Sequence, residues 1–235
     1  MSWTPALPDR EDVREDEREA YDRVVAQQRA YNYAPFVSTF LHPKVREAFP
    51  GDRLQPYFAA MLNSPLISAG MSDLGVVYRT RGEFADGMTH ADREWIDMVL
   101  CDELECFWVL YVHAPDAASV GVRPEAILAL VEGRYDDLTA EEREKELFIR
   151  AVINGTMTGD RYTSVERLVG VRAAVELACF TAHLIKTIRL MQAFGIPDVS
   201  RSDVTEWVQA IVDGKVPLPD NHARVPPAAA AAKQD

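Results

Sequence analysis

The stretch Glu94-Trp95-Ile96-Asp97-Met98-Val99-Leu100-Cys101-Asp102-Glu103-Leu104-Glu105-Cys106-Phe107-Trp108-Val109-Leu110-Tyr111-Val112-His113 decides the reading of this chain. It reads as two consecutive helices carrying a carboxylate, a thiol and an imidazole. Cys106 and His113 are seven residues apart. At about 100° per residue this is about 700°, so both project from nearly the same side of one helix, about 10 Å apart along it. Glu94, on the preceding helix, is the natural third member of a shared pocket. A carboxylate held beside an imidazole fixes its tautomer and raises its basicity, the arrangement a proton shuttle needs. Each residue also has a plainer reading. A cysteine on an apolar helix is more often a small buried hydrophobe than a nucleophile. A lone histidine is more often structural, and Glu94 alone fits an ordinary helix-surface carboxylate.

The rest of the chain is consistent with a globular helical protein. Its 235 residues can bury a sizeable core in one or two domains, and 48% apolar with 26% charged residues is ordinary composition. The net charge of -12 argues against nucleic acid and anionic membranes as partners, because phosphate binding depends on Lys and Arg. No apolar run reaches the roughly 18 residues of a membrane span. Three cysteines and an acidic, polar N-terminus predict reduced thiols in a cytoplasmic protein.

Strand signals are weak and helix signals recur. Helices are expected over about Asp12 to Ala30, Phe36 to Phe40, Arg53 to Leu62 and Ile67 to Tyr78, with a loop at 81–88. Thr89 and Asp92 form a cap opening a helix to about Asp102, and the next is expected over about Leu104 to Val120. Pro124 suits a first helical turn, and Thr139 with Glu142 has capping-box spacing for a helix ending at Asn154-Gly155. Tyr162 to Val169, Val171 to Phe194 and Ser202 to Val212 complete the set. The expectation is all-α, a single domain of about eight to ten helices. Residues 1–18 read as an acidic extension, 19–213 as the domain and 214–235 as a flexible Pro/Ala-rich tail.

Glu94, Cys106 and His113 resemble the carboxymuconolactone decarboxylase / alkyl hydroperoxidase D-like superfamily in order and spacing. Its redox members carry Cys-x-x-Cys, a His four residues later and a Glu twelve residues before the first Cys. Here the second cysteine is replaced by Val109. Tyr21-Asp22-Arg23-Val24-Val25, Pro35-Phe36, Leu41-His42-Pro43, Arg93-Glu94, Val175-Glu176-Leu177, His183, Arg189-Leu190 and Ala193-Phe194-Gly195 extend the similarity over about Glu19 to Pro197. The resemblance implies a helical AhpD-like fold, a homo-oligomer (trimer or hexamer), and Glu94, Cys106 and His113 as a catalytic set. Val109 removes the dithiol chemistry, which needs one thiol to attack and one to resolve.

Among the remaining candidates, His183 is on the long helix that in the family lines the pocket or the subunit interface; its competing role is a satisfied core histidine. Trp108 and Tyr111 flank the Cys106–His113 face as an aromatic wall or as core. His90 and His42 read as structural or exposed, and His222 falls in the tail. Cys179 reads as core, and a Cys101–Cys106 disulfide needs local rearrangement. No His-x-x-x-His or Cys-x-x-Cys pair, calcium loop or phosphate loop is present, so neither metal nor cofactor is expected.

Three functions follow from the resemblance. The first is a cofactor-free lyase acting on a carboxylated lactone or related small molecule, with His113 as donor or proton shuttle, Glu94 orienting it or acting as base, and Cys106 as a pocket wall. The second is a single-cysteine thiol peroxidase or redox sensor built on Cys106. The third is a non-catalytic, ligand-binding helical oligomer.

Overall fold

The computed structural model describes residues 3–30, 54–81 and 87–219, and every regular element among them is helical. The expected Phe36 to Phe40 helix, most of the 81–88 loop, His42, His222 and the end of the tail lie outside the described residues. The chain is all-α, as its periodicity predicts. Ten α-helices are described, and they fall into two compact units.

The first unit draws on the first 81 positions together with 190–197. Helix α1 (Arg18–Ala30) follows a 3-10 turn at Glu15–Glu17, so the regular helix starts later than the expected Asp12. α2 (Pro56–Met61) and α3 (Pro65–Arg81) each begin on a proline, whose missing N–H is harmless in the first turn. α1 packs on α3, and Val13, Ala20, Tyr21, Val24, Leu62 and Ala69 form the core between the elements. The Trp3 indole donates to Ala193 O at 3.0 Å. Gly195 accommodates that ring: φ is +64°, and a Cβ there would lie 2.6 Å from Trp3.

The second unit, drawn from 82–189 and 198–221, contains the candidate site. Its centre is α4 (His90–Glu103), which packs on α5 (Phe107–Ser119), α6 (Pro124–Val131) and α7 (Ala140–Asn154). Residues Asp92 through Asp102 are all buried. A helix buried on every side is ordinarily apolar, yet this run contains Asp92, Arg93, Glu94, Asp97 and Asp102. Each buried charge needs a partner, so the acids of α4 dictate what surrounds it. Asp92 closes a capping box with Thr89 and takes Lys145 Nζ at 2.8 Å. Asp102 takes Arg150 at 2.9 Å and Arg201 at 2.8 Å. Glu94 and Asp97 have histidine as a partner instead.

α8 (Gly159–Val169) packs on α7 and starts before the expected Tyr162, because Thr158 accepts from the Arg161 N–H. α9 is Val171–Ala193, and α10 (Arg201–Val212) packs on α5 and α6 through Val204, Val208 and Ile211. Among the described residues no single helix is long and apolar enough to cross a membrane.

The capping box expected at Thr139 is present: Thr139 Oγ1 accepts from Glu142 N at 3.2 Å and Glu142 Oε2 from Thr139 N at 2.8 Å. Thr139→Ala is therefore expected to cost about 1 kcal/mol of unfolding free energy in urea titration, and Thr139→Ser much less. Equal stability of Thr139→Ala and the parent would show that water caps this end as well as the hydroxyl does.

Candidate functional site

The site is built where α4 faces α5. On α4, His90, Glu94 and Asp97 are spaced four and three residues apart, which puts them on one face. On α5, His113 and Asp116 have the same three-residue offset. His113 Nδ1 lies 3.0 Å from Glu94 Oε2 and 3.6 Å from Asp97 Oδ2. His90 Nε2 lies 3.3 Å from Glu94 Oε1 and 3.6 Å from Asp116 Oδ2. Glu94 thus sits between two imidazoles, one on each oxygen. The three carboxylates are buried, whereas the His90 and His113 side chains keep 19% and 16% of their exposure. The imidazoles are the side of the cluster nearest solvent.

Electrostatics follow from that geometry. Burial disfavours a charged Glu94, but His113 and then His90 outweigh it and hold the carboxyl well below the usual range. Burial also works against a charged His90; Asp116 and Glu94 prevail and push its pKa up to about 9, with Arg93 opposing them. Glu94 is therefore an anion at neutral pH and His90 a cation. His90, Glu94 and Asp116 bring potential ligand atoms within 4.8 Å of one another, as do Glu94, Asp97 and His113.

The pairing of Glu94 with His113 was legible in the sequence. His90, Asp97 and Asp116 were not picked out, although their offsets of three and four from Glu94 and His113 were the available signal. His90 joins the cluster through Glu94 and Asp116.

Cys106 stands differently. The helix is expected from about Leu104, but α5 begins at Phe107 and Cys106 is its N-cap. The reason is local. α4 ends in a Schellman turn, with Glu105 N bonded to Asp102 O, Cys106 N bonded to Cys101 O at 2.9 Å, and Glu105 at φ +51°. Asp198 accepts from Trp108 N at 2.5 Å and from Val199 N at 2.8 Å beside the thiol. A helix N-terminus can stabilise a thiolate, but here a carboxylate occupies it. Burial, then the charge of Asp198, push the Cys106 thiol up to about 12. Cys101 is raised further, by burial first and then by Cys106, Asp97 and Asp198. All three cysteines are free thiols. Cys179 is exposed rather than core, because the inward face of α9 runs through Ala173, Ala174, Leu177 and Phe180.

The expected wall residues have neighbours of their own. Tyr111 stacks on Trp207 with ring centroids 4.7 Å apart. The Trp207 indole donates to Tyr111 O at 2.9 Å. That carbonyl is the one Pro115 cannot serve, since proline four residues on lacks the N–H, so α10 repairs the break. Trp108 is buried beside the Asp198 cap. His183 stacks on Phe180 and has Lys186 Nζ 3.2 Å from its Nδ1, both on its own helix.

Comparison of the chain with protein-family models, curated proteins and solved structures returned no match.

Proposed function

We propose that this protein is a small-molecule lyase of the carboxymuconolactone decarboxylase-like type, acting on a carboxylated lactone or related metabolite by proton transfer through Glu94 and His113. The observation that carries the reading is the 3.0 Å contact between His113 Nδ1 and a buried Glu94 Oε2. With Nδ1–H donated to Glu94, the imidazole is held in the tautomer whose Nε2 lone pair accepts a proton. That proton comes from the substrate's carboxyl group; CO2 leaves as its C–C bond breaks, and the protonated ring holds the enolate left behind by hydrogen bonding and then gives the proton to carbon. Glu94 stabilises the imidazolium formed between the two steps. His90 on the other oxygen keeps Glu94 ionised through the cycle.

Cys106 acts as a wall in this reading. A thiol raised to about 12 beside Asp198 is a poor nucleophile at neutral pH, which weighs against a single-cysteine peroxidase.

The test is turnover against a panel of small carboxylated lactones, with Cys106→Ser beside the parent, and sulfenic-acid trapping after brief exposure to substoichiometric peroxide. Turnover that stays within about twofold in Cys106→Ser, with no trapping, is the expected result. Rapid trapping that disappears in Cys106→Ser would replace the lyase by the thiol peroxidase.

A further inference from the structure

The cluster holds more acid than a proton shuttle uses. Two carboxylates converge on each ring nitrogen, although one N–H serves one acceptor well. The nearer contacts are 3.0 and 3.3 Å, to Glu94. The farther ones, to Asp97 and Asp116, are both 3.6 Å. Bonds of about 2.1 Å to a divalent cation set neighbouring ligand atoms about 3.0 Å apart in octahedral and about 3.4 Å in tetrahedral coordination. The four separations lie around those values.

The cluster also divides cleanly in two. His90 Nε2 lies between Glu94 Oε1 and Asp116 Oδ2, and His113 Nδ1 between Glu94 Oε2 and Asp97 Oδ2. Each half has one imidazole nitrogen, one aspartate oxygen and one oxygen of Glu94.

We propose that this cluster binds two divalent transition-metal cations bridged by Glu94, with His90 and Asp116 holding one and His113 and Asp97 the other. A mixed nitrogen and oxygen donor set suits Mn2+, Fe2+ or Zn2+, whereas Mg2+ and Ca2+ favour oxygen alone. Three protein ligands per ion leave coordination positions open, and the partly exposed imidazoles provide the side from which ions enter. The three buried carboxylates offset three of the four positive charges that two such ions carry. No His-x-x-x-His or Cys-x-x-Cys pair marks these donors in the sequence. Here the donors are shared between α4 and α5.

The inference stands on ligand geometry and does not depend on the reaction proposed above. Ions and protons compete for the same ring nitrogens, so the two ideas are tested separately. The full-length protein is stripped with a chelator, dialysed against Mn2+, and read by elemental analysis and electron paramagnetic resonance. About two Mn2+ per chain with a spin-coupled spectrum is expected, since bridged ions sit about 3.5–4 Å apart. His90→Ala and His113→Ala should each retain about one ion and lose the coupling. Circular dichroism of each variant checks the fold, while the parent titration needs no variant at all. Binding of one ion or none by the parent, or two uncoupled ions indifferent to Glu94→Gln, overturns the proposal. Full lactone turnover by the stripped protein, with no ions bound on dialysis, overturns it too while leaving the acid–base reading in place.

Discussion

His113→Ala is expected to lower turnover of the carboxylated substrate by about 10²–10⁴-fold, the range a positioned general acid–base contributes. The loss should be in kcat more than KM, because the imidazole acts on the proton in flight and not on the bound ground state. The variant should still fold. Removing His113 takes one partner from Glu94 Oε2, but His90 remains 3.3 Å from Oε1 as a countercharge. Glu94→Gln should give a loss of similar size for a different reason: an amide neither stabilises the imidazolium nor enforces the tautomer. Steady-state kinetics on both variants, with circular dichroism alongside, checks this. A His113→Ala protein with parental kcat would remove the acid–base mechanism.

Arg150→Met is expected to destabilise the protein by about 3–5 kcal/mol, the usual effect of stripping one partner from a buried ion network. Arg150 joins Asp102 at 2.9 Å, reaches the Tyr135 hydroxyl at 3.2 Å, and also pairs with Glu103 and Glu146. Glu146 is 0% exposed, and burial raises its pKa despite Arg143 at 2.6 Å. Arg201 is left to serve Asp102 but does not replace Arg150 at Glu146. Arg150→Met/Glu146→Leu should therefore recover part of the loss, because two apolar groups replace a buried carboxylate left with Arg143 alone. Urea unfolding of the parent, both single variants and the double variant measures it. A loss under about 1 kcal/mol for Arg150→Met would mean that solvent already screens the network.

The helices and their caps were legible in the sequence because they depend on neighbours in the chain. Thr89 with Asp92, Thr139 with Glu142 and Gly155 after Asn154 all behave as their spacing predicts. The boundaries that moved have local causes too: Pro56 and Pro65 fixed two starts, and Ser200 added Arg201 to α10 through a capping box with Asp203. The Glu94–His113 pair was also within reach, since helical periodicity and a short connection bring adjacent helices face to face.

What the sequence by itself determined, then, is an all-helical chain with Glu94 and His113 on neighbouring helices. The tertiary structure decided the surroundings of Cys106. Asp198, ninety-two residues away in the chain, caps α5 and makes the thiol's surroundings negative, and no local pattern encodes such a contact. Packing likewise decided that His90, Asp97 and Asp116 join Glu94. Their i, i+3 and i, i+4 offsets were visible, but the same offsets describe any polar helix face. Only burial of that face against α5 turned five side chains into one cluster, because charges excluded from water must find one another.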